Sequence, residues 1–336
     1  MEGRQRVIIS RTDSIGDVVL TLPVAGMIKE KHPESEILFL GRSYTHDIVN
    51  ACTHIDAFIN WDELNEHDDA TASRLISEQK ADAIIHVFPN PKIARLAYKA
   101  GIPYRLGTTN RLYHWTTCNK LIRLSRRRSD LHEAQLNLRL ISNFIGEKYV
   151  SIDKIKDMYG MTALAPLNEK FSSLLKPEKF NLILHPKSKG SAREWGMDNF
   201  IKLCQNLSPQ KYNIYVSGTS DEGKLIKDSG IFQFDHIKDI TGQMSLQQFM
   251  SFIGHCDGLV AASTGPLHLA AAMGKIAIGI YPPIRPMHPG RWAPIGSKAT
   301  YLVMDKECAD CRREGPCHCM LEIQAEDVIR TLERMS

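Results

Sequence analysis

Ala83-Ile84-Ile85-His86-Val87-Phe88 is apolar along almost its whole length, with one polar side chain and no alternation. A strand with one wet face alternates polar and apolar residues, so a run apolar on both faces fits a parallel strand covered by helices on either side. Working outward, β-type runs at residues 7–10, 36–41 and 57–60 precede it. Helical patterns fall between and after them at 16–31, 68–79 and 91–100, the first carrying apolar Val18, Val19, Leu22 and Ile28. A long helix over 132–144 closes the series. Such β–α alternation builds a parallel, doubly wound sheet.

The pattern then repeats. A less regular stretch at 151–179, containing Pro166 and Pro177, leads to strands predicted at 180–184, 212–217, 258–261 and 276–280. Helices are expected between them at 197–207, 221–228, 246–255 and 266–273. The expectation is therefore an α/β chain of two Rossmann-like, doubly wound domains facing one another. They span 1–165 and 175–320, with a C-terminal helix over 321–336. In such sheets ligands bind beyond the carboxyl ends of the strands, so the loops there are where chemistry is sought.

Composition bounds the function. The 336 residues are 43% hydrophobic and 24% charged, as expected of a soluble globular chain long enough for two cores. No window offers the roughly 18 consecutive apolar residues of a membrane span. The best candidate, 258–280, is broken by Ser263, Thr264, His268 and Lys275. The apolar stretch at 7–9 is too short for a secretory signal and runs at once into Arg11, Asp13 and Asp17, so a cytoplasmic protein is expected. A net charge of +4 is too small to imply nucleic-acid binding. The charges are nevertheless sorted: residues 91–128 hold ten Lys or Arg and no Asp or Glu.

Three loops and one cysteine cluster stand out. Arg11-Thr12-Asp13-Ser14-Ile15-Gly16-Asp17-Val18 follows the first strand and lacks both the dinucleotide fingerprint and the P-loop lysine. Asp17 at a helix start either caps that helix or accepts a proton as an ionised base. His185-Pro186-Lys187-Ser188-Lys189-Gly190-Ser191-Ala192-Arg193-Glu194-Trp195 sets basic, hydroxyl and glycine residues at a strand end, which suits a phosphate or a solvated loop. Ser263-Thr264-Gly265-Pro266-Leu267-His268 runs from a strand into a helix with Pro at its first turn, an anion site by its free N–H groups. His268 is either structural or a participant. Cys308-x2-Cys311-x5-Cys317-x-Cys319 would allow four thiolates around one structural zinc, the alternative being reduced, unligated cysteines. Cys52, Cys118, Cys204 and Cys256 read as small buried hydrophobes.

Together, Arg11-x-Asp13-x-Ile15-Gly16-Asp17-Val18, the 185–195 loop and Ser263-Thr264-Gly265-Pro266-x-His268-Leu269-Ala270-Ala271 resemble glycosyltransferase family nine, the heptosyltransferases of lipopolysaccharide inner-core assembly. The similarity runs in order over essentially the entire chain. It implies the GT-B fold, with an interdomain cleft, the acceptor on the N-terminal domain and the nucleotide sugar on the C-terminal one. It implies that Asp17 is the general base of an inverting transfer. Lys187, Ser188 and Arg193 would then hold the donor diphosphate with Thr264, Gly265 and His268, Glu222 would bind the nucleoside, and Met244 would pack beside the adenine. Ser263 stands where many members have Asp, which bears on the sugar hydroxyls held. The cysteine segment is similar to a Cys-rich stretch of some members.

Family likeness favours ADP-heptose as donor, with no metal required, since no Asp-x-Asp pair is present. Arg11, Asp13, Arg105, Arg111, Arg123, Arg126, Arg127 and Arg128 would serve an anionic, lipid-linked glycan acceptor at the inner face of the cytoplasmic membrane. Two rival readings are a non-catalytic nucleotide-sugar or anionic-glycan binding module and a GT-B enzyme of another nucleotide sugar.

Overall fold

A computed structural model describes residues 5–304 and 317–336. Cys308, Cys311 and the Arg127 side chain lie outside the described residues. The chain divides into two compact units, Met1–Ala163 and Leu164–Ser336.

In the first unit, β1 (Arg6–Ser10), β2 (Glu36–Gly41), β3 (Ala57–Asn60), β4 (Ala83–His86), β5 (Tyr104–Thr108) and β6 (Lys120–Ile122) form one sheet in the order β3-β2-β1-β4-β5-β6. Every pairing is parallel. The residues of β1 from Val7 and all of β4 are buried, which is why both read as unbroken apolar runs. The second unit repeats the design with β7 (Phe180–His185), β8 (Tyr212–Val216), β9 (Ile237–Asp239), β10 (Gly258–Ala262), β11 (Ile276–Tyr281) and β12 (Ala299–Val303), ordered β12-β11-β10-β7-β8-β9. Each unit is a Rossmann-like doubly wound sheet, as the fold class predicted. Each reverses its strand order once, between β1 and β4 and between β7 and β10. Those reversals open crevices at the strands' carboxyl ends.

Several local expectations change. The helix expected at 16–31 is two helices, Ile15–Val19 and Leu22–Lys31. Pro23 lacks an N–H for a continuous helix, and the Thr21 hydroxyl bonds the Asp17 carbonyl at 2.8 Å across the break. The 132–144 helix likewise divides into Glu133–Leu140 and Ser142–Ile145. β5, β6, β9 and β12 carried too weak a pattern to be read. β5 contains Arg105 and Gly107, and the other three are edge strands that are short or half exposed.

The C-terminal helix Ala325–Met335 is a core element of the second unit. Its Val328 and Leu332 join Leu203, Phe200 and Trp195 in one cluster. The Trp195 indole donates to the Ile323 carbonyl at 2.8 Å, and the Asn199 amide donates to Leu321 at 3.1 Å. These bonds tie the chain end to the foot of the loop that follows β7.

Candidate active site

In the first unit the site begins where β1 ends. Arg11 is the first residue past the strand and is only 3% exposed. A buried guanidinium must find acceptors on all sides, and Arg11 does. Its Nε donates to Asp13 Oδ1 at 2.5 Å and its Nη2 to Asp13 Oδ2 at 2.9 Å, while Nη2 also donates to Asp17 Oδ1. Nη1 donates to Glu133 Oε1 and Asn137 Oδ1, both at 3.5 Å. Burial alone would lower the Arg11 pKa, but the carboxylates of Asp17, Asp13 and Glu133 outweigh it and raise it. The ring of Phe88 lies 6.0 Å from the guanidinium carbon.

Arg126 closes the cluster from the far side. Its Nε donates to Glu133 Oε1 at 2.8 Å, and its Nη2 donates to Asn137 Oδ1 at 3.0 Å and to the Val87 carbonyl, just beyond β4, at 3.2 Å. Two arginines are thus interleaved with three carboxylates at the switch point of the sheet. The Asp17 carboxylate is clamped between Arg11 and the Ser14 hydroxyl, which donates to Oδ2. Ser14 precedes the helix yet makes no side-chain cap, so Asp17 and Ser14 spend their polar atoms on each other and on Arg11. Asp13 is pushed up to about 6 by burial, against the pull of Arg11 and with help from Asp17. The arrangement offers an oriented, partly exposed carboxylate able to accept a proton from a bound hydroxyl.

The sequence had placed Arg11, Arg105 and Arg126 on an acceptor, and the structure gives all three internal work. Arg11 and Arg126 are locked in the carboxylate cluster. Arg105 donates from Nε to the Thr117 carbonyl at 2.7 Å and from Nη1 to the Ile102 carbonyl, and lies over the Tyr98 ring at 5.3 Å. Each arginine satisfies buried or half-buried acceptors that would otherwise be stranded. Arg111, Arg123 and Arg128 are exposed. Glu133 and Asn137, invisible to the sequence reading, are both fully buried on one helix face four residues apart. The helix alternates polar Glu133, Gln135, Asn137 and Arg139 with apolar residues, so nothing in its sequence marked Glu133 as a buried partner of an arginine.

In the second unit the candidate loops again flank the switch point, after β7 and after β10. His185, the last residue of β7, bonds the Ser217 hydroxyl through Nδ1 at 2.9 Å, and burial holds its pKa down to about 4. The loop beyond it turns through Lys189 and Gly190, both at positive φ (50° and 79°). Glu194, which the sequence reading passed over, closes this loop. It accepts from Lys187 Nζ at 3.0 Å, from the Ser188 N–H at 3.1 Å and from the Ser188 hydroxyl at 3.2 Å. Lys187 and Ser188, expected to hold a diphosphate, therefore have an internal carboxylate as partner, which an incoming anion must outcompete. Arg193 is half-buried in the same loop.

Across the switch point, Thr264 precedes the helix Gly265–Ala272, which has Pro266 in its first turn. The Thr264 hydroxyl is buried and lacks a hydrogen-bond partner. An orphan hydroxyl beside unspent helix N–H groups is a ready cradle for an oxyanion. His268 is buried on the same helix. The Tyr281 hydroxyl donates to the Trp292 carbonyl. Glu222 forms a capping box with Thr219, accepting from its N–H at 2.8 Å and its hydroxyl at 3.0 Å, both at Oε2. A Cβ on Gly223 would lie 2.2 Å from the Thr241 hydroxyl, so glycine lets the segment that carries half-buried Met244 pack against the helix that carries Glu222. Cys317 and Cys319 are buried in the core of this unit.

Among the described residues, no helix is long and apolar enough to cross a membrane, and no group of three or more His, Cys, Asp or Glu is placed to hold a metal.

A family model described as glycosyltransferase family 9 (heptosyltransferase) matches residues 71–319. A Haemophilus influenzae protein named "Putative glycosyltransferase" is 28% identical over 329 residues, covering 93% of this chain and 90% of its own. The lipopolysaccharide core heptosyltransferase OpsX of the same organism is 19% identical over 354 residues, covering 99% and 98%. The structure of the Escherichia coli ADP-heptose lps heptosyltransferase II superposes with a TM-score of 0.75 at 17% identity, covering 98% of each chain. Two Rossmann-like sheets in this order, with loops of this kind at both switch points and a family match over most of the chain, lead to one conclusion: the chain belongs to glycosyltransferase family 9 and is a glycosyltransferase of GT-B-like fold.

Proposed function

We propose that the protein transfers a heptose from ADP-heptose to an acceptor hydroxyl of the lipopolysaccharide inner core, with inversion, and that Asp17 is the general base. The acceptor oxygen attacks the anomeric carbon and its proton passes to Asp17. The bond from that carbon to the diphosphate breaks, and ADP departs with the electron pair. Asp17 carries this reading, because Arg11 and Ser14 hold its carboxylate in one orientation at the β1–β4 switch point. The family match and the ADP-heptose enzyme among its structural relatives support the donor. We assign the departing diphosphate to Lys187, Ser188, Arg193 and the Thr264–Gly265 helix start, where charge developing in the transition state meets preorganised donors. Glu222 and Met244 are assigned to the nucleoside.

The site of action in this proposal is the cytoplasmic face of the inner membrane. Leu112 and Trp115 support it, being 89% and 61% exposed beside Arg111 in a segment free of acidic residues. Apolar and basic side chains together suit an anionic bilayer surface. Sedimentation with anionic vesicles should carry the wild type and leave an L112S/W115S variant in the supernatant. A structural zinc held by the cysteine segment is also proposed; metal analysis of protein purified without chelator should find it at stoichiometric level and lose it in C308S/C311S.

The function itself is tested by supplying ADP-heptose and a Kdo-containing lipid acceptor and identifying the product linkage. A different donor sugar is the second reading, because Ser263 stands where the family resemblance places an acid in many members. Stabilisation by UDP or GDP in preference to ADP in a thermal-shift assay would select it.

A further inference from the structure

Glu133 is an acid to which the proposed transfer gives no task, and it is only 1% exposed at the head of the helix Glu133–Leu140. A carboxylate so deeply buried is costly unless positive charge and hydrogen bonds surround it. Glu133 has both. Its Oε1 accepts from Arg126 Nε at 2.8 Å and from Arg11 Nη1 at 3.5 Å. Arg11 turns its other amino group, Nη2, to Asp13 and Asp17. The result is a line of alternating charge, Arg126, Glu133, Arg11 and then Asp17, running from the turn after β6 to the loop after β1. Asn137, one turn along the helix, braces this line. Its Oδ1 accepts from both arginines, and its Nδ2 donates to the Leu20 carbonyl at 3.1 Å and the Thr21 hydroxyl at 3.3 Å, just past the helix that bears Asp17.

An arginine clamped onto a base does two opposed things. It fixes the direction of the carboxylate, and its positive charge favours the ionised form, which weakens the carboxylate as a proton acceptor. A negative charge on the far side of the same guanidinium offsets the second effect and leaves the first intact. Glu133 occupies that far side, facing Nη1 while Asp17 faces Nη2. A neutral amide in its place would still accept from both arginines but would offset no charge. Asp13 joins the cluster from the loop after β1, held by Arg11 Nε and Nη2. Tyr44 faces it from the loop after β2 and donates its hydroxyl to the Asp13 carbonyl. Burial raises the Tyr44 pKa, so this phenol stays neutral while the carboxylates titrate.

We infer that Glu133 is a positioning residue of the transfer: it holds Arg11 from the side opposite Asp17 and offsets part of its charge, so that Asp17 is oriented and still able to take the proton of the acceptor hydroxyl. Arg126 sets how much charge Glu133 has to give, because one oxygen, Oε1, serves both arginines. Glu133 is too deeply buried to meet substrate, and it acts through Arg11 alone. The inference rests on Asp17 as the base, as proposed above.

The test measures kcat against pH for the full-length enzyme with saturating ADP-heptose and Kdo-containing lipid acceptor. The acid limb of that profile belongs to the carboxylates around Arg11 as a coupled group. Glu133→Gln keeps the shape and the acceptor oxygen and removes the charge. The limb should move to lower pH by about one pH unit and the plateau should fall by about three- to tenfold, with both KM values unchanged. Arg126→Gln leaves Glu133 its full charge and should move the limb the opposite way. Glu133→Asp restores the charge and should return the limb to its wild-type position. A limb that stays in place in E133Q and R126Q overturns the inference, and if E133Q does not fold, R126Q decides alone. Asp13 supplies a reading that needs no turnover. Its carboxyl, pushed up to about 6, shares Arg11 with Glu133, and its midpoint in a carbonyl-detected NMR titration should fall in E133Q. An Asp13 midpoint indifferent to E133Q overturns the inference as well. A midpoint that falls in a protein that transfers no sugar refutes the proposed function and leaves the linkage from Glu133 through Arg11 standing.

Discussion

Arg11 donates to Asp17 across six residues of chain, and the two side chains are unequal partners: the guanidinium is buried while the carboxylate keeps an open edge. That asymmetry suits a catalytic carboxylate. The buried partner fixes its orientation and the open edge remains for a substrate hydroxyl. The carboxylate cannot rotate away without abandoning both Arg11 and Ser14.

Arg11→Met should destabilise the protein by about 3–5 kcal/mol, because Asp13, Asp17 and Glu133 would be left around an apolar side chain. Urea unfolding near neutral pH measures this. Wild-type stability in the variant would mean that the cluster is replaceable by water.

Asp17→Asn keeps the side-chain shape and removes the base. Turnover should fall by about 10²–10⁴-fold while ADP affinity stays unchanged, since Asp17 belongs to the first unit and the loops assigned to the donor belong to the second. Steady-state rates together with ADP titration separate the two effects. A rate within a few-fold of wild type removes Asp17 from the mechanism.

Asp13 gives a pH signature. Its folded pKa is raised from 3.8 to about 6, chiefly by burial. The unfolded chain therefore releases this proton first as pH rises, so the stability it contributes is present below pH 4 and lost by pH 6. Asp13→Asn is neutral in both states, and its stability relative to wild type should climb between these limits and then level off. Denaturant unfolding across pH 4–7 reads the difference, and a constant gap would contradict the shift.

Glu194 competes with any anion for Lys187 and Ser188. Glu194→Gln should therefore tighten ADP binding by about two- to fivefold, a modest gain because the Lys187 ion pair is partly exposed. Calorimetric titration with ADP tests it. Weaker binding in the variant would show that Glu194 supports the loop's binding shape more than it blocks the loop.

Much of the site was readable where chemistry is local. Asp17, Thr264 and the 185–195 loop each follow a strand predicted from an apolar run, and all lie at a switch point once the strand order is known. The Arg105 and Arg126 roles were not readable. Ten positive charges without an acid between residues 91 and 128 suggested a single outward-facing surface, yet both these arginines are consumed by carbonyls and acids of the unit itself. Charge composition counts cations and carries no information about their direction.

By itself, the sequence determined the two β–α series, the parallel character of their sheets and the loops that end on Asp17, Lys187 and Thr264. Periodicity and helix-start chemistry act over a few residues, so they survive in the linear order. Only the tertiary structure decided which charges meet. Glu133 and Asn137 reach Arg11 from 122 and 126 residues away. Arg126 turns inward to Glu133 while Arg123 and Arg128 on either side of it stay exposed. Ion pairing depends on burial and on distances of a few ångströms, and both are set by packing between segments that are remote in the chain.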